Sequence, residues 1–156
     1  MKMRAMAGIL LSCGDALLMI RRNAGRELAP NLWAIPGGHI EPEEINDPEA
    51  ACLRELFEET GYLPEDISGL FLRYIVFWQT PQELQVFYDF TAKCAQKKPL
   101  PQNGEGDLHW INKNELPALE MPPSMGLLFD HYLANPAKPE TLVGVVRQSN
   151  IHWQRL

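Results

Sequence analysis

The sequence predicts an α+β fold, a β-sheet layered against a small number of helices. Three observations point there. Apolar and aromatic runs, bounded by Gly, Pro, Asn and Asp, recur on both sides of one well-capped helix that starts after Asp47. A second helix is signalled only late, after Pro122-Pro123-Ser124. At 156 residues and 46% hydrophobic, without repeats or low-complexity stretches, the chain can bury one core and is expected to form a single domain, 1–156.

The elements follow in order. Met3 to Ser12 and Ala16 to Arg22 are apolar runs around Cys13-Gly14-Asp15, which reads as a hairpin. Residues 23–31 read as a loop, and Leu32 to Ile35 as a short strand entering the turn Pro36-Gly37-Gly38. In the helix, Asp47 is a good N-cap, Pro48 suits the first helical position, and Glu49 meets the positive end of the helix dipole. Leu53, Leu56, Phe57 and Thr60 form its apolar stripe, with Glu55, Glu58 and Glu59 opposite, flanked by the small residues Ala51 and Cys52. Gly61 ends it. Leu70 to Gln79 and Leu84 to Lys93 read as strands joined through Thr80-Pro81-Gln82, and a further strand runs around Leu108 to Ile111. The late helix extends to Ala134, Leu142 to Val146 reads as an edge strand, and the last ten residues signal no element.

The chemistry concentrates between Pro36 and Tyr62. Like charges at i, i+3 and i+4 repel rather than support a helix, and Arg54 is the only base among Glu55, Glu58 and Glu59. Such a cluster is either a solvated outer face or a holder for a hard cation. Gly37 and Gly38 favour the second reading, because a backbone carbonyl can face a ligand there with no side chain in the way. A backbone carbonyl together with several carboxylates is an oxygen-donor set suited to Mg²⁺ or Mn²⁺.

At these residues the segment resembles the signature box of the Nudix hydrolases. That pattern is Gly, five residues, Glu, seven residues, then Arg-Glu-apolar-x-Glu-Glu-x-Gly-apolar. Gly38 and Glu44 meet the first spacing, and Arg54-Glu55-Leu56-Phe57-Glu58-Glu59-Thr60-Gly61-Tyr62 meets the last part. Nine residues rather than seven separate Glu44 from Arg54, most simply through Ile45-Asn46 placed before the helix cap, and Glu43 stands where the family usually has glycine.

The resemblance implies an α/β/α sandwich with a mixed sheet between helices, and a Mg²⁺-dependent hydrolase, with Mn²⁺ as the alternative ion. Its substrate would be a nucleoside diphosphate linked to another moiety, such as a nucleoside triphosphate. It implies metal ligands at Glu55, Glu58, Glu59 and the Gly37 carbonyl, a substrate contact at Gly38, and Arg54 orienting the carboxylates with Glu44 as its partner. Arg22, at the end of a predicted strand, matches a phosphate-contacting position, the alternative being an exposed basic strand end. Glu105 matches an additional acid that serves as metal ligand or general base, against an ordinary acidic loop; Glu55 is the other candidate base. A non-catalytic nucleotide-binding module is the competing reading, which the intact Arg-Glu-x-x-Glu-Glu run disfavours. An ADP-ribose or nucleotide-sugar pyrophosphatase is the competitor among enzymes. Its expected proline, some fifteen or sixteen residues past the box, is missing, since Pro81 lies nineteen beyond Tyr62.

Composition fits a small-molecule nucleotide enzyme. A net charge of -6 argues against a duplex nucleic-acid partner. Cys13, Cys52 and Cys94 are odd in number, far apart and without C-x-x-C, as expected of reduced thiols in a cytoplasmic protein. The apolar stretch from Ala5 to Cys13 is too short to span a membrane. A homodimer is compatible with everything above. His39 and His109 lack the partner spacing of a zinc site, and Tyr74, Phe77, Trp78, Phe87 and Tyr88 are expected mostly in the core.

Overall fold

The computed structural model describes residues 1–25, 30–101, 106–136 and 140–156. Among the described residues, nine strands form one sheet: β1 (Lys2–Cys13), β2 (Ala16–Arg22), β3 (Trp33–Ala34), β4 (Gly37–His39), β5 (Ile67–Gln79), β6 (Glu83–Cys94), β7 (Gly106–Asn112), β8 (Leu142–Arg147) and β9 (Asn150–Arg155), flanked by two α-helices, α1 (Pro48–Thr60) and α2 (Pro123–Ala134). The strand order is β3-β2-β1-β6-β5-β8-β9, with β4 paired to β1 and β7 to β2.

The sheet is mixed. β1 runs parallel to β6 from Lys2↔Glu83 to Ser12↔Lys93, and β5 runs parallel to β8. The β5–β6, β2–β7 and β8–β9 pairs are antiparallel. The expected hairpin of β1 and β2 forms, turning at Gly14 with φ +59°. Its ladder is confined to Ser12↔Leu17 and Cys13↔Ala16, after which the strands part. Into that divergence β4 inserts, pairing Met6↔His39, Ala7↔Gly38 and Gly8↔Gly37. The glycine turn is thereby fastened to the middle of the sheet.

Side chains alternate across β1 and divide the core. Ala7, Ile9 and Leu11 face α1 with Ala51, Cys52, Leu56, Tyr62, Phe90 and Ala92. Leu10 faces the other way, toward α2, with Leu17, Met19, Tyr74, Val76, Leu128 and Phe129. Removing a side chain such as Leu10, which is fully buried, from water contributes about 1.5–3 kcal/mol. A sheet with one such layer on each face is the expected α/β/α sandwich.

Two expectations are corrected. Leu142–Arg147 is not an edge strand: it lies between β5 and β9, and the unreadable tail supplies the edge. On α1 the buried face is Ala51, Cys52, Leu56, Glu59 and Thr60, whereas Phe57 is 53% exposed. Small residues let the helix sit close to the sheet, and the turn at Gly37 takes Glu59 into the interface, rotating Phe57 out. Among the described residues no helix is long and apolar enough to cross a membrane.

Candidate active site

Local signals fix α1. The Asp47 side chain accepts from the Ala50 N–H at 3.0 Å, and Gly61 adopts φ +76° with its N–H bonded to the Phe57 carbonyl. Residues between the glycine turn and the helix form a short 3-10 turn, Pro42–Glu44, in which the Glu41 N–H donates to the Glu44 carboxylate at 3.0 Å. Ile45 and Asn46 follow that turn, so the insertion leaves both Glu44 and the helix cap in place.

Arg54 gathers the acids. Its Nε donates to Glu44 Oε1 at 2.6 Å and Nη2 to Glu44 Oε2 at 2.9 Å, a bidentate pair. Nη1 donates to Glu55 at 2.8 Å and to Glu58 at 3.2 Å, while Nη2 also reaches the His39 carbonyl at 3.0 Å. The hydrogen bond from Arg54 holds the Glu44 carboxyl down at about 2, and the bond to Glu44 in turn pushes the guanidinium pKa up. One cation thus offsets the repulsion along the helix.

The other two contacts run from the helix to the glycine turn. The Gly37 N–H donates to Glu59 Oε2 at 2.9 Å, and Glu59 is 7% exposed. A Cβ placed on Gly38 would lie 2.5 Å from the Glu55 carboxyl carbon, and one on Gly37 would lie 2.4 Å from the Ala7 carbonyl oxygen. Neither position admits a side chain unless its neighbour shifts. Both glycines line a cleft of about 810 Å³, together with Glu55, Glu58, Glu59, Arg54 and Arg22.

The structure therefore brings together Arg22, Gly37, Gly38, Glu44, Arg54, Glu55, Glu58 and Glu59 within or beside one cleft. Glu105 lies outside the described residues. His39 faces the cleft without a second histidine, and among the described residues no three His, Cys, Asp or Glu side chains converge on one point as they stand. Carboxylates of Glu55, Glu58 and Glu59 nonetheless line an open cleft beside Gly37 and Gly38, and carboxylate oxygens fit a hard divalent cation in kind.

The α2 side of the cleft was not anticipated as a binding surface. Arg4, Trp78, Gln85, Phe87 and Asp89 line it, with residues 122–125 at the start of α2. Gln85, Phe87 and Asp89 alternate along β6 and share a face, so an aspartate inside an apolar run was the readable signal. Trp78 and Phe87, expected mostly in the core, are cleft-lining residues; Tyr74 is fully buried.

A mixed sheet between two helices, with a glycine turn laid across a carboxylate-bearing helix, defines the Nudix type of domain. The model of the NUDIX domain matches residues 1–132, and the chain belongs to that family. The m7GpppN-mRNA hydrolase of Bos taurus is 48% identical over 56 residues, which make up 35% of this chain and 18% of that protein. The chain thus matches under a fifth of that relative's length. A putative 8-oxo-dGTP diphosphatase of Bacillus subtilis is 27% identical over 115 residues, 73% of this chain and 69% of that one. Among solved structures, a MutT protein from Bacillus halodurans superposes with a TM-score of 0.73 at 21% identity, covering 97% of both chains. At that identity the likeness speaks to fold.

Proposed function

We propose that this chain hydrolyses a pyrophosphate bond in a nucleoside diphosphate linked to another moiety, with a nucleoside triphosphate or related nucleotide as substrate and Mg²⁺ as cofactor. The carrying observation is the Glu55 carboxylate lying against Gly38, at the place a Cβ would fill. This supports the reading, since Glu55, Glu58, Glu59 and the glycine turn line one cleft large enough for a nucleotide. The names of the Bos taurus and Bacillus subtilis relatives, a capped-mRNA hydrolase and a nucleotide diphosphatase, support the same substrate class.

The residues divide the work. Glu55, Glu58 and Glu59 with the Gly37 carbonyl would hold the cation, which supplies positive charge against the phosphate oxygens and lowers the pKa of water. Arg54 orients the carboxylates through Glu44, Glu55 and Glu58. Arg22, at the cleft wall, pairs with phosphate oxygens, and the Gly38 backbone leaves room for the chain to approach. Glu55 or Glu105 would take the proton as general base. Three free cysteines suit a reducing, cytoplasmic setting.

The test is a screen of nucleoside triphosphates, oxidised nucleotides, dinucleoside polyphosphates, ADP-sugars and capped RNA with Mg²⁺, scored by the phosphate species released. Release of a nucleoside monophosphate with pyrophosphate or a phosphorylated fragment is expected. Absence of turnover across the whole panel would contradict the reading.

A further inference from the structure

Asp89 is a carboxyl that the fold itself does not use. It sits in mid-β6 on the α2 side of the sheet, 4% exposed, among Val76, Phe87, Ser124, Met125 and Leu128. Among the described residues no donor or cation pairs with it. Burial alone pushes its pKa from 3.8 up to about 7. Gly8, its partner in the parallel ladder, leaves it space, since a Cβ there would lie 2.9 Å from Asp89 Oδ1. An apolar residue would fill this place at lower cost. The side chain nevertheless lines the cleft, on the same β6 face as Phe87 and Gln85 and grouped with Ser124 and Met125.

A buried carboxyl that keeps its proton presents one donor beside one acceptor. That pair complements the adjacent donor and acceptor on the edge of a nitrogen heterocycle, either a lactam N–H and C=O or a ring nitrogen beside an amino group. Aromatic and thioether side chains at Phe87 and Met125, beside Asp89, suit the flat faces of such a ring. We infer that Asp89 is a specificity-determining residue, its carboxyl hydrogen-bonding the edge of the substrate's heterocycle on the α2 side of the cleft. The inference rests on the proposed nucleotide substrate. It adds which residue reads the base.

The experiment compares wild type, Asp89→Asn and Asp89→Ala on ATP, GTP and purine riboside triphosphate, whose ring lacks the exocyclic donor or acceptor. Hydrolysis is followed with Mg²⁺. Equilibrium binding of the same three nucleotides is followed with Ca²⁺, and thermal unfolding confirms that each variant is folded. For the better of ATP and GTP, wild type is expected to show a tenfold or greater advantage over purine riboside triphosphate, expressed in KM and in the dissociation constant. Asp89→Ala should abolish that advantage, while Asp89→Asn, which keeps a donor and an acceptor, should retain most of it. Discrimination that survives in Asp89→Ala, or is absent from wild type, overturns the inference. If no nucleotide is hydrolysed but Asp89-dependent discrimination persists in binding, the inference stands and the hydrolytic reading falls.

Discussion

The α1 and α2 sides of the cleft handle carboxyl groups in opposite ways. On the α1 side Glu44, Glu55 and Glu58 are held by a single guanidinium, and Glu44 stays ionised down to about 2. On the α2 side Asp89 has no partner among the described residues, and burial favours its neutral form up to about 7. One side keeps negative charge and organises it. The other suppresses charge and keeps a hydrogen-bonding edge. A molecule with a polyanionic part, bridged to those carboxylates by a divalent cation, and a flat polar part would be complementary to that difference.

Breaking the charged side should have the largest effect. Arg54→Ala removes the donors that position Glu44, Glu55 and Glu58, and kcat/KM for the best substrate is expected to fall about 100-fold or more. Arg54→Lys should recover little, because a lysine cannot make the bidentate contact with Glu44. The same variant tests the pH behaviour. Glu44 is depressed from 4.5 to about 2, so its ion pair contributes fully above pH 4.5 and is lost as pH falls toward 2. Acid unfolding of Arg54→Ala should lack that component.

The neutral side predicts the opposite sign. With its pKa raised from 3.8 to about 7, Asp89 keeps its proton in the fold while the unfolded chain loses it. Its contribution to stability therefore declines as pH rises from 3.8 through about 7. Tyr74 and Cys52, themselves pushed up mainly by burial, also feel Asp89 and stay neutral across this window. Asp89→Asn should remove the decline and be more stable than wild type at pH 8, by on the order of a few kcal/mol in chemical denaturation. Equal pH profiles for the two proteins would show that Asp89 is not held neutral.

Gly38→Ala should have a moderate and selective effect. The new methyl would meet the Glu55 carboxylate, the far end of a flexible side chain that can move aside. Thermal stability should change little, while hydrolysis drops about tenfold through displacement of one acid. The smallest effect is expected at Phe57. Its exposure predicts that Phe57→Ala costs under about 0.5 kcal/mol, whereas Leu56→Ala next to it costs about 2–5 kcal/mol in chemical denaturation.

That contrast shows where the sequence is readable. The ends of α1 are local: Asp47, Pro48 and Gly61 each act within a turn of their own position, and all three do so as read. The buried face of α1 is not local. It depends on Glu59 meeting the Gly37 N–H across 22 residues, which no helical periodicity contains. The Arg54–Glu44 pair was legible because the box spacing carries it, and it survives the Ile45-Asn46 insertion because those residues fall outside both the 3-10 turn and the helix. The place of β8 was hidden because parallel pairing with β5 joins segments far apart in the chain. Asp89 was visible as an anomaly, an acid inside Val-Phe-Tyr-Asp-Phe, but only the packing of β1, β6 and α2 gives it a cleft to line.

The central claim is that the α1 glutamates, organised by Arg54, carry metal-dependent hydrolysis. Its most direct test is the initial rate on the best nucleotide of the panel as Mg²⁺ is titrated, for wild type and for folded Glu58→Gln. A saturable Mg²⁺ requirement is expected in wild type, with a loss of about 100-fold or more in the variant. Undiminished hydrolysis by Glu58→Gln, or a rate indifferent to Mg²⁺, would contradict it.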